Sequence, residues 1–330
     1  MKLTINEIAE MAQVAKSTVS KALNGQKGVS QETRQRILNI AKQVNFQPNF
    51  AAKALAQKKS NIIGFVLPHE AGFSLSGFYW AGVVTAAAEE VSKRGNNLMI
   101  ISPLENEEGH ILEIQDTIRS NSLDGLIIGA EQLDTKTLVS IMAEEIPFVF
   151  IGQNSTLQHY CVDVNNREGS DKLVTQMIKN GFKKIGCITG PEDYQYTRER
   201  VEGFNDAMKR AGLDSSRIMH TSYYEEDARK TTLKMIEENP DIDALYITAG
   251  GEFTLNIFET LRFSGISPKK LGLGVFDDSR IFDFLDFSVT TAKQPLNQIG
   301  AMATQLLFEQ ISGHTPEEKI NLLPVEIILR

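Results

Sequence analysis

From residue 62 to residue 330, short apolar runs alternate with helix-length stretches, and few architectures satisfy that alternation. Runs at 62–67, 97–101, 125–128 and 148–151 are rich in Ile, Leu, Val and Phe and read as strands. The segments between them, at 81–94, 111–121 and 135–143, carry helical periodicity. The order continues with helices at 170–180, 200–211, 228–238, 254–263 and 296–311 and strands at 185–189, 217–221, 244–247, 271–275 and 326–329. Repeated βα units build doubly wound parallel sheets covered by helices on both faces. About a dozen strands exceed what one open sheet holds comfortably, so two similar lobes are expected.

At 330 residues the chain is long enough for two or three globular units with full cores. No apolar run is long enough to span a membrane. Glu7 and Glu10 stand where an export signal needs an apolar run, so a cytoplasmic protein is expected. The two cysteines, Cys161 and Cys187, fall in expected strands, outside any metal-ligand spacing, and read as buried free thiols. The net charge of −8 conceals a division. Residues 1–60 hold ten Lys/Arg and three acids, a net +7, which leaves −15 for the rest. A basic head on an acidic body is the asymmetry expected when only the head meets a polyanion.

The head is of a different kind from the rest. Thr4 precedes an apolar-periodic run, Ile5, Ile8 and Ala9, and Glu7 lies three residues on, which is the T-x-x-E capping box that opens a helix. That helix is expected to reach Ala12. A tight link leads into VAKSTVSKALN, with a helix expected over 16–24 and Gly25 to end it. Val19, Ala22 and Leu23 make its apolar stripe, while Lys16, Ser17, Ser20 and Lys21 lie opposite with no acid among them. Cations for phosphates and short donors for base edges are what a helix in a DNA major groove needs. Taken alone, the segment fits an ordinary amphipathic surface helix equally well. Ser30 caps a third helix over 31–45, whose stripe of Ile37, Leu38, Ile40, Ala41 and Val44 would close a core over a helix-turn-helix. Pro48 stops that helix, and 49–57, NFAAKALAQ, reads as an Ala-rich helix too short to persist without a partner.

The pieces TINEIAEMAQVAKSTVSKALNG, VSQETRQRI and FQPNFAAKALAQKKS, in that order, closely resemble the DNA-binding head of the lactose/galactose repressor (LacI-type) family. The resemblance implies that Lys16, Ser17 and Lys21 read base edges. It implies that Thr18, Ser20 and Asn24 contact phosphates or steady the helix, and that Leu55 wedges into the minor groove. An apolar wedge unstacks a base step and kinks the duplex onto more protein surface. The hinge helix is then expected to order only on operator DNA, within a homodimer. Lys16 departs from the Ser, Thr or Tyr often found at its position, so an operator sequence does not carry over. The implied layout is an all-α head at 1–48, a hinge helix and linker at 49–61 and an α/β body at 62–330.

The body resembles the two-lobed, type I periplasmic-binding-protein-like body of the same family. That implies a first lobe over about 62–163 and 294–322 and a second over about 164–291 and 325–330, with a ligand between them at the carboxyl ends of strands. Arg200 and Asp277 match the family's cleft arginine and aspartate, suited to the vicinal hydroxyls of a sugar. Tyr79 and Trp80 match aromatic positions at the first-lobe rim, and Tyr194, Tyr196 and Tyr224 match positions of the second lobe. Where many relatives have Asn-Asp, this chain has Ala249-Gly250-Gly251-Glu252, so either Glu252 or the glycine amides would face the ligand. Gln153 and Asn154 are further first-lobe candidates. The five histidines are scattered, and no Walker A, H-E-x-x-H or G-x-S-x-G motif occurs. No enzymatic activity, cofactor or metal is expected. The leading expectation is a carbohydrate-responsive repressor. The alternatives are a nucleoside- or purine-responsive regulator on the same scaffold and a plain solute-binding protein.

Overall fold

The computed structural model describes residues 4–23, 25, 27–44, 46, 59–68, 78–102, 104–105, 111–112, 118, 123–129, 135–154, 159–266 and 271–330. The chain divides into two units, Met1–Asn61 and Ile62–Arg330.

In the first unit, the Glu7 carboxylate accepts the Thr4 backbone N–H at 2.5 Å and its hydroxyl at 2.9 Å, and α1 (Ile5–Ala12) follows from that box. Gln13 turns left-handed at φ 51° and ends α1. The chain re-enters helix at α2 (Lys16–Leu23), and Gly25, at φ 70°, lies just beyond it. The Ser30 hydroxyl accepts the Thr33 N–H at 3.2 Å and opens α3 (Gln31–Gln43). Ile8, Ala12, Val19, Ala22, Ile37 and Ala41 are the buried centre of this unit. Of the stripe expected on the third helix, Ile37 and Ala41 are buried and Ile40 packs against them, while Leu38 is exposed. The hinge segment 49–57 lies outside the described residues.

In the second unit, β1 (Ile62–Val66), β2 (Asn97–Ile101), β5 (Gly125–Gly129), β6 (Phe148–Ile151), β7 (Cys161–Val164) and β13 (Ile320–Leu323) form one sheet. Its order is β13-β7-β6-β5-β1-β2, and every pairing is parallel. The other sheet joins β8 (Ile185–Thr189), β9 (Ile218–His220), β10 (Ala244–Ile247), β11 (Gly272–Phe276), β12 (Val289–Lys293) and β14 (Glu326–Leu329). Its order is β14-β12-β11-β10-β8-β9. Here β14 runs antiparallel to β12, a departure from the all-parallel expectation, because the chain returns beside β12 from the other sheet. The central strands β5, β6, β8 and β10 are buried along their whole length, which is why they read as unbroken apolar runs.

One expected element is replaced. Ile111–Leu112 is not the first turn of a helix but β4, which pairs antiparallel with β3 (Leu104–Glu105). A tertiary partner overrides local helical periodicity there, and within 113–121 only Ile118 is described, as helical. The helices are α4 (Phe78–Lys93), α5 (Thr135–Met142), α6 (Asn166–Lys179), α7 (Gln195–Arg210), α8 (Glu225–Glu238), α9 (Gly251–Phe263) and α10 (Leu296–Ile311). Gly300 lets α10 press against α4, since a Cβ there would stand 2.5 Å from the Val83 carbonyl oxygen. Phe65, Phe150, Phe204 and Phe276 are at most 1% exposed. Truncating any of them to Ala costs about 3–5 kcal/mol. Cys161 and Cys187 are free and buried, and burial pushes the Cys161 thiol up to about 12.

The chain passes between the two sheets three times: after β7, after β12, and between β13 and β14. Among the described residues, no helix is long and apolar enough to cross a membrane.

Candidate functional site

On α2 the buried side is Val19 and Ala22, which leaves Lys16, Ser17 and Lys21 exposed and Thr18 and Ser20 half-buried. The helix carries no acid in its first turn. An exposed face of two lysines and a serine on a helix anchored by its opposite side can enter a groove without dismantling the head. Asn24 and Leu55 lie outside the described residues.

The body holds a cleft between its two sheets, at the carboxyl ends of the strands. Asp163 ends β7, Asp277 follows β11, and Tyr79 and Trp80 sit in the first turn of α4. Trp80 is 4% exposed and packs edge-on against Phe65 and Tyr79, with ring centroids 6.1 and 5.0 Å away. Its buried Nε1–H has no partner among the described residues.

Helix α7 begins at Gln195, so Tyr196 and Arg200 stand one turn apart on one face. The Arg200 guanidinium lies over the Phe276 ring at 3.7 Å and the Tyr196 ring at 4.9 Å. Its Nε donates to Asn166 Oδ1 at 2.9 Å and its Nη1 to the Thr248 carbonyl at 2.6 Å. Arg200 is thus fixed by α6 and by the end of β10. Tyr196 and Tyr223 share a hydrogen bond between their hydroxyls at 2.6 Å.

Asp277 adopts φ 90°, a conformation that costs a non-glycine residue about 1–3 kcal/mol. Two bonds hold it there. Its Oδ2 accepts the Gly250 N–H at 3.1 Å, and its Oδ1 accepts Gln294 Nε2 at 2.5 Å. A Cβ on Gly250 would lie 2.5 Å from the Asp277 Cβ, so this approach requires glycine. Neighbouring Asp278 also lines the cleft, but its carboxylate is already paired. Arg330 Nη2 reaches its Oδ2 at 2.5 Å, and the Thr291 hydroxyl donates to its Oδ1 at 2.8 Å. Burial pushes the Asp278 carboxyl up, but Arg330 and Thr291 outweigh it and hold the group below the usual carboxylate range.

Asp163 is 4% exposed, and burial pushes its carboxyl up to about 6 against the opposing Val164 N–H. Its Oδ1 accepts Val164 N–H at 2.7 Å, and its Oδ2 accepts Gln153 N–H at 3.2 Å and Asn166 Nδ2 at 3.3 Å. Asn166 therefore links Asp163 to Arg200.

Residues 4–49 match the family described as bacterial regulatory proteins, lacI family, and residues 60–326 match periplasmic binding proteins and sugar binding domain of LacI family. The chain belongs to the LacI family. It is a DNA-binding transcription regulator of that family, and its fold is a helix-turn-helix head with a two-lobed α/β body. It is 24% identical over 336 residues to the HTH-type transcriptional regulator CelR of Thermobifida fusca, covering 99% of this chain and 97% of that one. The dimeric Lac repressor bound to operator and the anti-inducer ONPF shares the fold with a TM-score of 0.84 at 20% identity, over 99% of this chain and 98% of that one. A CelR–cellobiose complex does so with a TM-score of 0.74 at 22% identity, also over 99% and 98%.

Tyr79, Trp80, Tyr196, Arg200 and Asp277 line the cleft together. Two of the LacI-family matches made on sequence need correction. Tyr224 is 56% exposed at the N-cap of α8, and it is Tyr223, one residue earlier, that faces the cleft. Tyr194 is not among the lining residues; it stacks behind them on Tyr196 and Tyr223, at 5.8 and 6.5 Å. The backbone of Glu252 lies in the first turn of α9, while its side chain is outside the described residues. The backbones of Gly250 and Gly251 do line the cleft. Gln153 contributes its N–H to Asp163 rather than lining the cleft, and Asn154 does not line it either. Asp163, Gln294 and Phe282 also line it and were missed. A polar residue closing an apolar strand, as Asp163 closes CVDV, is the signal that marks such a position.

Proposed function

We propose that the chain is a cytoplasmic repressor of carbohydrate-utilisation genes. It binds a pseudo-palindromic operator as a homodimer, and a sugar-like effector in the interlobe cleft controls that binding. Lys16, Ser17 and Lys21 read bases, Thr18, Ser20 and Asn24 support phosphate contacts, and Leu55 wedges the minor groove. Tyr79, Trp80, Tyr196, Tyr223, Arg200 and Asp277 hold the effector.

The observation that carries this reading is the convergence of a fixed guanidinium, two carboxylates and aromatic rings on one cleft that both sheets enclose. Charged donors and acceptors match ring hydroxyls, and aromatic faces match the apolar face of a sugar. The fold is shared with a CelR–cellobiose complex, which supports the same ligand class. An effector alters DNA binding only by holding one arrangement of the lobes more tightly than the other.

The test is to select an operator with the full-length protein and titrate the complex with neutral sugars and with nucleobases in a gel-shift assay. Release or tightening by a sugar is the expected result. A response to nucleobases alone replaces the sugar reading with the purine one. Operator binding that survives deletion of residues 1–60 removes the DNA-binding assignment of the head.

A further inference from the structure

The charges around the cleft do not balance among the described residues. Among the described residues, Asp163, Asp277 and Asp278 line it, and Arg200 is its one lining cation. Asp278 is neutralised by Arg330 at 2.5 Å. That leaves two carboxylates against one guanidinium, and two of the guanidinium's nitrogens are already donated to Asn166 and to the Thr248 carbonyl.

Asp163 is the more confined of the two acids. It is 4% exposed and forms no ion pair among the described residues. An ionised carboxylate offers about four acceptor positions. Three are taken by the N–H groups of Val164, Gln153 and Asn166, with a single donor on Oδ1 and two on Oδ2. The remaining position on Oδ1 is an acceptor that only a group donating a proton satisfies. In a low-dielectric pocket, an anion brought beside this carboxylate meets repulsion that little solvent screens.

We propose that Asp163 fixes the charge class of the effector: it accepts a hydroxyl from an uncharged sugar and excludes phosphorylated sugars from the cleft. The proposal rests on the sugar-effector reading above. It makes Asp163 a specificity-determining residue contributed by the strand at which the chain first leaves one sheet for the other.

The experiment is calorimetry on the full-length protein with neutral mono- and disaccharides, cellobiose among them, and with the phosphate monoesters of the same sugars. The expected result is that a parent sugar binds and its ester binds at least about a hundredfold more weakly, the scale of one uncompensated buried charge contact. In D163N the parent loses about tenfold in affinity, the scale of one charged hydrogen bond, and the gap between parent and ester narrows. An ester that binds the wild type as tightly as its parent overturns the proposal, and this comparison needs no variant. A folded D163N that discriminates as sharply as the wild type removes Asp163 from the role. If no sugar of either kind binds, the sugar reading fails and the proposal falls with it, an outcome distinct from tight binding of an ester.

Discussion

Gln294 Nε2 donates to Asp277 Oδ1 across 2.5 Å, joining the segment that returns the chain to the first sheet to the acid that follows β11 of the second. The same acid accepts the Gly250 N–H through its other oxygen. The orientation of Asp277 is therefore set jointly by a crossover and by the start of α9, and its left-handed backbone persists because both hold it.

Substituting Gly250 tests that arrangement. In G250A the new methyl collides with the Asp277 Cβ, which must move. We expect effector affinity to fall about tenfold or more, the usual consequence of displacing a polar contact by a fraction of an ångström. Operator affinity without effector should stay as in the wild type. Calorimetry and gel shift on one preparation read both, and unchanged effector affinity would place Asp277 outside the site.

Arg200→Lys retains a cation but loses the planar fork that reaches Asn166 and Thr248 together. The expected outcome is loss of the effector response with operator binding preserved. A normal response in this variant would mean that the guanidinium is structural only.

Asp163 makes a pH prediction with a defined sign. Burial raises its carboxyl to about 6, so the folded protein resists ionising a group that titrates near 4 when unfolded. Arg200 opposes that rise and Glu199 adds to it, while Asp277 and Asp278 line the same cleft. Asp163 therefore makes stability fall as pH rises from about 4 through about 6, by about 3 kcal/mol in all. Urea unfolding of wild type and D163N across that range should show a difference between them that changes with pH and then levels off above it. A pH-independent difference would refute a titrating Asp163. Effector affinity should change the other way, weakening as pH drops below 6, because a protonated Asp163 loses acceptor capacity.

In the head, Lys16→Ala should alter the base preference found by operator selection, with a loss of about 1–3 kcal/mol at the affected position. Leu55→Ala should weaken operator binding and leave effector affinity alone, since a minor-groove wedge acts only on the duplex. Identical selection profiles for Lys16→Ala and wild type would end the base-reading assignment.

The strands and the head were readable because their signals are local: unbroken apolar runs, a capping box and a glycine stop. Most body helix starts were not, although those at 135 and 296 were. Five body helices begin at 78, 166, 195, 225 and 251, three to five residues before apolar periodicity places them at 81, 170, 200, 228 and 254. Four of those early turns, or the one or two residues just ahead of them, bring Tyr79, Trp80, Tyr196, Tyr223, Gly250 and Gly251 to the cleft. Residues there answer to the cleft rather than to helix propensity, so the periodicity starts late. The confusion of Tyr224 with Tyr223 has the same origin: the helix cap decides which tyrosine turns inward, and the sequence alone does not locate that cap. Asp163 was passed over because its role depends on Gln153 and Asn166, which approach it only after folding.

The three passages between the sheets have a mechanical consequence. Three short tethers side by side leave two stiff bodies little freedom except to swing about the line through them. Whatever the cleft encloses is then felt at distant surfaces as a single angle, not as a collection of local shifts. Asp163 and Gln294 stand next to two of those tethers, so the chemistry of the bound molecule acts beside the pivot, where a small displacement produces the widest arc at the far ends.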